Sequence, residues 1–426
     1  MNSFPYTPQK ASRENVVRIV ISVLAIFICL IIITESAQFG FSRLLARYAL
    51  VAKSIPAAAE AVSLTPSDAD AHRALAVSFR NVQMFQEASK EFEIAASLRP
   101  NDDYVWLELG MLRDELNDSE GALSAFDQAV TQAPYYAHTR WQRANLRLRM
   151  GRYDEAFAEL RDAAKSNRTF LPSLIDLAWG LSRQDAKLTE QLAGIDSPDS
   201  RVAFTRFLAS KGKGKETREQ FAQAAQFFSV EQKRELLRAL LEVHAYRDAF
   251  GIWKGSGELS NNDLQIHDGG FEGTISLSEV GFGWNISRQL SKVEASQDTS
   301  DKDSGDKSLR IAFDGDSPTA AVVVSQTIIV KPQTRYRISF AVKAKDIISG
   351  GLPLLRVVDA GTNVMLAQSG SLPQNSEWQK QVIEFTSPSL CDAIVLKLAR
   401  NECTSSPCPV FGVIWLDSFS IEEMKL

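Results

Sequence analysis

Histidine and cysteine are scarce in this chain. Its four histidines, His72, His138, His244 and His267, lie far apart in 426 residues, which argues against a histidine-built metal centre. Of its four cysteines, Cys29 sits in an apolar run, and Cys391, Cys403 and Cys408 fall near the C-terminus. An excess of basic charge is also lacking. Forty-seven Lys and Arg face 52 Asp and Glu, for a net charge of −5, so the electrostatic footprint of a nucleic-acid binder is missing and no nucleic-acid partner is expected. Catalytic signatures are missing too. There is no G-x-S-x-G, no H-E-x-x-H and no glycine-rich phosphate loop after a strand, and "GKGKETRE" (212–219) lacks P-loop order. A glycosidase needs only two carboxylates, but no strand-end carboxylate motif singles out such a pair. The reading is therefore a protein that is not an enzyme.

What is present points to several domains. A hydrophobic content of 45% and a charged content of 23% are globular values, and 426 residues exceed one ordinary core. Residues 16–33, "VVRIVISVLAIFICLIII", are apolar except for Arg18 and Ser22, and the run is long enough to cross a bilayer. Arg18 lies where its side chain can snorkel to the interface. The assignment is a short tail (1–15) and a transmembrane helix (16–34). A cleaved signal peptide is the alternative, but "TESAQFG" offers no clean A-x-A site and the run is longer than a usual signal core. Lys10, Arg13 and Arg18 precede the run and Arg43, Arg47 and Lys53 follow it, so the positive-inside rule is nearly balanced. Cys403 and Cys408 lie in one short loop, "NECTSSPCPVFG", a natural place for a small disulfide, and disulfides favour the exported side of a membrane. The expected location is the bacterial inner membrane, single pass, with the C-terminal domains periplasmic.

A repeat follows. Pro66, Pro100 and Pro134 are spaced 34 residues apart. Between the last two, small residues (Gly110, Ala122, Ala129) allow two helices to approach closely and larger ones (Trp106, Leu109, Phe126) fill the gaps, and Leu75, Ala76, Ala88, Phe92 and Ala95 repeat the phrase one unit earlier. A third unit keeps Ala144, Ala156, Leu160 and Ala163 but has Arg168 where proline is expected. This resembles the tetratricopeptide repeat (TPR) family, most clearly over 67–168 within a repeat region of 35–168. Residues 41–65 look like half a unit joining anchor to stack, and 169–254 read as further, divergent helical pairs. The resemblance implies a protein- or peptide-binding groove lined by first helices: Arg73, Val77 and Arg80; Tyr104, Leu107 and Met111; His138, Trp141 and Asn145. Arginines and aromatics are the composition of an interaction hot spot.

After a polar linker (255–263) the pattern changes to alternation. "YRISFAVKAK" places Tyr336, Ile338, Phe340 and Val342 on one face, and "LRIAF", "WQKQVIEFT", "AIVLKLA" and "FGVIWLDSFSI" continue the theme. About eight strands over 264–426 predict a two-sheet antiparallel jelly-roll sandwich. "DGGFE", "GFGWNI", "SGDKSLRIAF", "EWQKQVIEFTSP" and "VIWLDSFSIEE", in that order, resemble the galactose-binding-like jelly roll and its carbohydrate-binding modules of the family 4/9 type. That resemblance implies a structural calcium on Glu272 and Asp417, whose hard oxygens suit the ion. It also implies a sugar site of aromatic platforms and polar donors. Trp284, Trp378 and Trp415 are the available indoles; Trp378 matches a core position of the family and Trp415 shares a face with Val413 and Phe419, which leaves Trp284 and Arg356.

The expected architecture is thus multidomain: one transmembrane helix, an α-helical TPR solenoid and an all-β jelly-roll sandwich. The expected role is a membrane-anchored adaptor, with a protein partner on the repeats and a polysaccharide on the sandwich, in cell-envelope polysaccharide assembly or export. The alternative is a scaffold whose sandwich binds protein.

Overall fold

The computed structural model describes residues 9–255, 265–274, 280–287, 292–316, 322–403 and 407–424. The tail 1–8 and nearly all of the expected linker (256 onward) lie outside the described residues. The chain divides into two compact units, Met1–Leu177 and Ala178–Leu426.

The first unit opens on α1 (Gln9–Ala52), a single helix of 44 residues. From Val16 to Ile33 its side chains are exposed all round, as an apolar stretch with no polar face must be unless lipid or protein covers it. The same helix then enters the repeat stack without a break. Ala46 and Ala49 are buried against α2 (Ile55–Leu64) and α3 (Ala69–Asn81), and the Ser42 hydroxyl donates to the Ala61 carbonyl at 2.8 Å. The expected half-unit at 41–65 is therefore a whole helix pair whose first member is the far end of α1. Its small residues allow the close approach: Ala46, Ala49, Ala58 and Ala61 carry the contact.

Three further pairs follow: α3 with α4 (Phe85–Leu98), α5 (Asp103–Glu115) with α6 (Ser119–Gln132), and α7 (Ala137–Arg149) with α8 (Tyr153–Ser166), before α9 (Leu171–Leu181). The 34-residue period reappears in the backbone. Gln83, Asn117 and Gly151 each turn the chain between paired helices with positive φ, at 64°, 61° and 77°. Left-handed backbone suits Asn and Gly best, and these turns end one helix and start the next. Gly110 shows why the motif needs a small residue there: a Cβ would sit 2.6 Å from the Phe126 ring. Asp68, Asp102 and Asp118 cap α3, α5 and α6 by accepting from backbone N–H groups, which satisfies donors the helix leaves open.

The second unit joins helices to the sandwich. α10 (Ala186–Ala193), α11 (Pro198–Ser210), α12 (Gly214–Ala224), α13 (Val230–Glu242) and α14 (Tyr246–Lys254) precede ten strands. These are β1 (Asn285–Ile286), β2 (Val293–Asp298), β3 (Ser308–Asp316), β4 (Val324–Ile329), β5 (Arg335–Ser349), β6 (Pro353–Asp359), β7 (Met365–Gln368), β8 (Ser376–Thr386), β9 (Ala393–Arg400) and β10 (Pro409–Glu423). One antiparallel sheet has the order β1-β4-β9-β6-β7 and the other β2-β3-β10-β5-β8. From β3 to β10 the chain crosses between sheets at every step except the β6–β7 hairpin, the winding of a jelly roll. β1 and β2 add an edge strand to each sheet, which explains ten strands where alternation predicts about eight.

The core is the alternating set already legible in the sequence, with Ile311, Tyr336, Ile338, Phe340, Leu396 and Leu416 buried between the sheets. Gly412 marks a bulge in β10, with φ at 103° and the Asp346 carbonyl 2.3 Å from where a Cβ would lie, so the strand bends there around a backbone no side chain would fit.

The helices before the sandwich do not stand apart from it. Phe250 of α14 packs edge-on against Phe282 at 5.0 Å, and Trp253 lies 5.9 Å from the same ring. Ile329 and Ala393, on the outer face of the first sheet, belong to the same apolar cluster as Phe250 and Ile252. The Tyr246 hydroxyl donates to the Ala360 carbonyl at 2.8 Å, and Arg247 donates to the Val330 carbonyl at 2.9 Å and pairs with Asp392 at 3.2 Å. Gly281, with φ at 141°, lets the loop close on Trp253, whose ring would be 2.4 Å from a Cβ there. The compact unit therefore begins at Ala178 rather than at the change of sequence pattern near 264. The physical reason is that α14 has an apolar face whose complement lies on strands far along the chain.

Candidate functional sites

On the repeats, the residues expected to line a groove divide into two groups. Arg73 is held: its guanidinium donates to Glu108 at 2.6 and 3.3 Å and lies 4.6 Å over the Tyr104 ring. Arg80 is paired with Glu115. These arginines are the start of a ladder between successive first helices, continued by Arg149 with Asp114. Every arginine from Arg73 to Arg152 faces a carboxylate. Leu107 is buried and Met111 partly buried in the cluster between α5, α6 and α7, and Val77 packs beside the Phe92 core, so these three fill the stack.

The second group remains at the surface. Tyr104 is exposed, His138 and Asn145 are half-buried, and Trp141 is half-buried with its ring stacked on Phe170 at 4.8 Å. Tyr136 adds an exposed ring 6.3 Å from His138, and Tyr135 beside it is 83% exposed. Sequence reasoning missed Tyr135, Tyr136 and Phe170. The signal for the first two was the doubled tyrosine of "PYYAH", which no helical packing position requires.

On the sandwich, Trp284 is not a sugar platform. It is 6% exposed, packs against Phe271 at 4.9 Å and Phe419 at 5.1 Å, and its indole N–H donates to the Asp268 carbonyl at 2.9 Å. A ring enclosed on both faces cannot stack on a ligand. Trp415 is also buried, and its indole N–H donates to Asp298 Oδ2 at 2.9 Å.

That bond, with backbone N–H donors from Ser300 and Asp301, holds the Asp298 carboxyl down at about 2 against an ordinary 3.8. The sign follows directly. A lowered folded-state value contributes stability in full above the ordinary value, and this is lost as pH falls toward 2. Replacing Trp415 by Phe removes the first donor, so the Asp298 carboxyl resonance is expected to titrate at higher pH. Acid unfolding of the sandwich should then begin at higher pH; a titration unchanged from the wild type would refute the assignment.

Glu272 and Asp417 do converge, but on backbone amides. Asp417 is fully buried; its Oδ2 accepts from Asp303 N at 2.9 Å and Ser304 N at 3.0 Å, and its Oδ1 accepts from Ser418 N at 2.6 Å. Glu272 Oε1 accepts from Asp306 N at 2.8 Å and Lys307 N at 3.3 Å. Both carboxylates therefore fasten one turn, 303–307, to opposite ends of the sandwich sequence. Backbone N–H groups point at these carboxylates, and among the described residues no three acidic, histidine or cysteine side chains gather as a metal set, so any calcium here would need backbone carbonyls or water to complete its six to eight oxygens.

Cys403 and Cys408 are joined, with Cα atoms 6.1 Å apart. The Arg400 guanidinium donates to the Cys408 carbonyl at 2.8 Å, which ties the bridged loop to β9. Cys391 is a separate, buried thiol, pushed up to about 12 by burial and by the neighbouring Asp359 carboxylate, so it is inert at neutral pH.

Arg356 lies on the outer face of the first sheet. Its strand neighbours Leu355 and Val357 are in the core, so alternation sends Arg356 outward. Strand register then lines up one residue from each strand: Asn285 opposite Ser325, Ser325 opposite Lys397, Lys397 opposite Arg356 and Arg356 opposite Gln368. Five strands at about 4.8 Å spacing make this polar row roughly 19 Å long. Beside it is a cleft of about 360 Å³, whose lining includes Asn285, Ser325, Val395, Lys397, Val358 and Asn363. Asp359 also reaches this cleft, but its Oδ1 accepts from Gly361 N at 2.8 Å and Thr362 N at 2.9 Å, so its charge is turned into its own turn.

With fold and surfaces in place, the chain can be set beside known proteins. The architecture is that of a TPR-like helical solenoid joined to a jelly-roll β-sandwich, with one N-terminal helix long and apolar enough to cross a membrane. No protein-family model matches it. Over 127 residues, 30% of the chain and 21% of the relative, it is 28% identical to the peroxisomal targeting signal receptor of Eremothecium gossypii. Over 101 residues, 24% of the chain and 17% of the relative, it is 27% identical to protein FlbA of Caulobacter vibrioides. The chain thus spans about a fifth of the length of these curated relatives.

Solved structures are similar at low scores. Pseudomonas aeruginosa PilF covers 50% of the chain with 99% of its own, at 20% identity and a TM-score of 0.33. A CBM4 structure covers 37% of the chain with 99% of its own, at 17% identity and a TM-score of 0.29. Neither likeness bears on a ligand.

Proposed function

We propose that this chain is a non-catalytic, membrane-anchored adaptor, in which the repeats hold a protein or peptide and the sandwich holds a glycan, in cell-envelope polysaccharide assembly or export. One observation carries the reading: α1 runs unbroken from an apolar stretch of membrane-spanning length into the first repeat pair, so the recognition surface and the anchor are one piece. The exposed tyrosines Tyr104, Tyr135 and Tyr136 and the half-buried Trp141 supply a hot-spot surface on the repeats, where such rings bury large areas at little entropic cost. On the sandwich, the row from Asn285 to Gln368 supplies amide, hydroxyl and cationic donors matched to sugar hydroxyls and acids. The N-terminus is placed inside and the bulk of the chain in the periplasm, where the Cys403–Cys408 bridge is stable.

The test is capture of the detergent-solubilised full chain on immobilised polysaccharides, acidic and neutral, with membrane fractionation of the expressed protein alongside. Retention on at least one glycan and recovery with membranes are expected. A folded chain that is retained on none removes the glycan half of the proposal. A second reading, in which the sandwich binds protein, is favoured by the cleft having no aromatic ring among its described lining residues.

A further inference from the structure

We infer that the polar row on the first sheet selects an acidic polysaccharide, one bearing uronate or similar carboxylates, with Arg356 and Lys397 as the paired recognition cations. The inference rests on the glycan reading above and narrows it to a substrate class and two residues.

The two cations stand directly opposite each other on neighbouring strands β6 and β9, and both point away from the core formed by Val357 and Leu396. Like charges in that register repel, and the sheet gains nothing from them by itself. Neither makes an ion pair among the described residues. Lys397 reaches only the Asn363 amide oxygen at 3.5 Å, and Arg356 only the Arg400 carbonyl at 3.2 Å. The arginines of the repeats from Arg73 to Arg152 are paired with carboxylates, and on the second sheet Arg335 and Arg337 share Glu384 while Arg310 has no such pair among the described residues. The Arg356–Lys397 pair has no carboxylate partner among the described residues, with Lys397 lining the cleft and Arg356 beside it on β6.

The Nε of Arg356 is buried and has no hydrogen-bond partner, so recognition of a carboxylate falls to the terminal nitrogens of the guanidinium and to the Lys397 ammonium. The cleft's lining also explains why charge must carry the recognition. Without a ring to stack on a sugar face, affinity has to come from hydrogen bonds and ion pairing, and a neutral glycan offers only the first. Ser325 and Asn285 on one side of the cations, and Gln368 on the other, are placed to take the hydroxyls flanking a sugar acid.

The experiment uses the full chain in detergent against immobilised polygalacturonate and, separately, dextran. Retention on polygalacturonate is expected, weakening as salt screens the charges. The double variant K397Q/R356Q should lose at least tenfold in affinity, with K397R close to wild type. The control K380Q, an exposed lysine on the second sheet, should leave retention unchanged. Polygalacturonate binding that survives the double variant, or falls equally in the control, overturns the site. Binding to dextran but not to polygalacturonate overturns the acidic class and leaves the glycan reading standing. Binding to neither, by a folded chain, removes both.

Discussion

Replacing Glu159 by Ala is expected to unfold the α7–α8 pair at markedly lower denaturant than wild type, with a loss of about 3–5 kcal/mol. Glu159 is 4% exposed on α8, and two arginines of α7 depend on it. Arg143 Nε donates to both of its oxygens, at 3.0 and 2.9 Å, and Arg147 Nη1 donates to Oε2 at 2.7 Å. Arg143 is only 13% exposed and Arg147 only 17%, so truncating the carboxylate leaves two guanidinium groups in a low-dielectric site. Asp127, at 2.7 Å from Arg143, recovers part of that cost, which bounds the effect from above. The isosteric Glu159→Gln keeps the acceptor and loses the charge, so it should fall between. Hydrogen exchange localised to α7 and α8 is the measurement, because a two-unit chain need not unfold in one step. Exchange unchanged in the alanine variant would show that the network is ornamental.

Asp417→Ala should destabilise the sandwich by about 3 kcal/mol, since it abandons the amides of Asp303, Ser304 and Ser418 at once. Burial raises the Asp417 carboxyl, and the three amide donors offset this only in part. A raised folded-state value means the contribution is complete below the ordinary value and diminishes as pH rises through the folded value. The destabilising effect of the alanine variant should therefore shrink somewhat on going from acid to neutral pH. Calcium separates this account from the one implied by family resemblance. With amides filling the carboxylates, adding calcium or a chelator should leave the unfolding midpoint of the wild type where it is. A calcium-dependent rise would show that the ion displaces these amide contacts.

The repeats were legible because their constraint is local and periodic: Gly110 must be small where Phe126 crosses it, and the same demand recurs every 34 residues. The sandwich was legible for a similar reason, since alternation in "YRISFAVKAK" needs no knowledge of its neighbours. Contacts between distant residues were not. Nothing near Phe250 or Trp253 announces Phe282 and Ile329, so the docking of α14 on the first sheet read as a linker and a boundary. Arg356 could be singled out, whereas Lys397 could not, because only strand register brings them together across 41 positions. Trp284 was misplaced although a clue existed: it shares parity with Ile286, and that face of β1 turns into the core. The ion pairs of the groove arginines were not legible because their carboxylate partners sit 35 residues away, one repeat and one residue further on.

The unbroken α1 acts as a steric ruler. From Ile33, the last residue of the apolar run, to Ser42, where the first repeat takes hold, is nine residues of helix, about 14 Å at 1.5 Å per residue. A small globular domain is about twice as wide. If the apolar run lies in lipid, nothing folded fits between the bilayer and the first repeat, and a continuous helix cannot swing aside as a flexible tether would. A partner that engages the first repeat must then itself rest against the membrane, so the anchor screens partners by position before any side chain reads them.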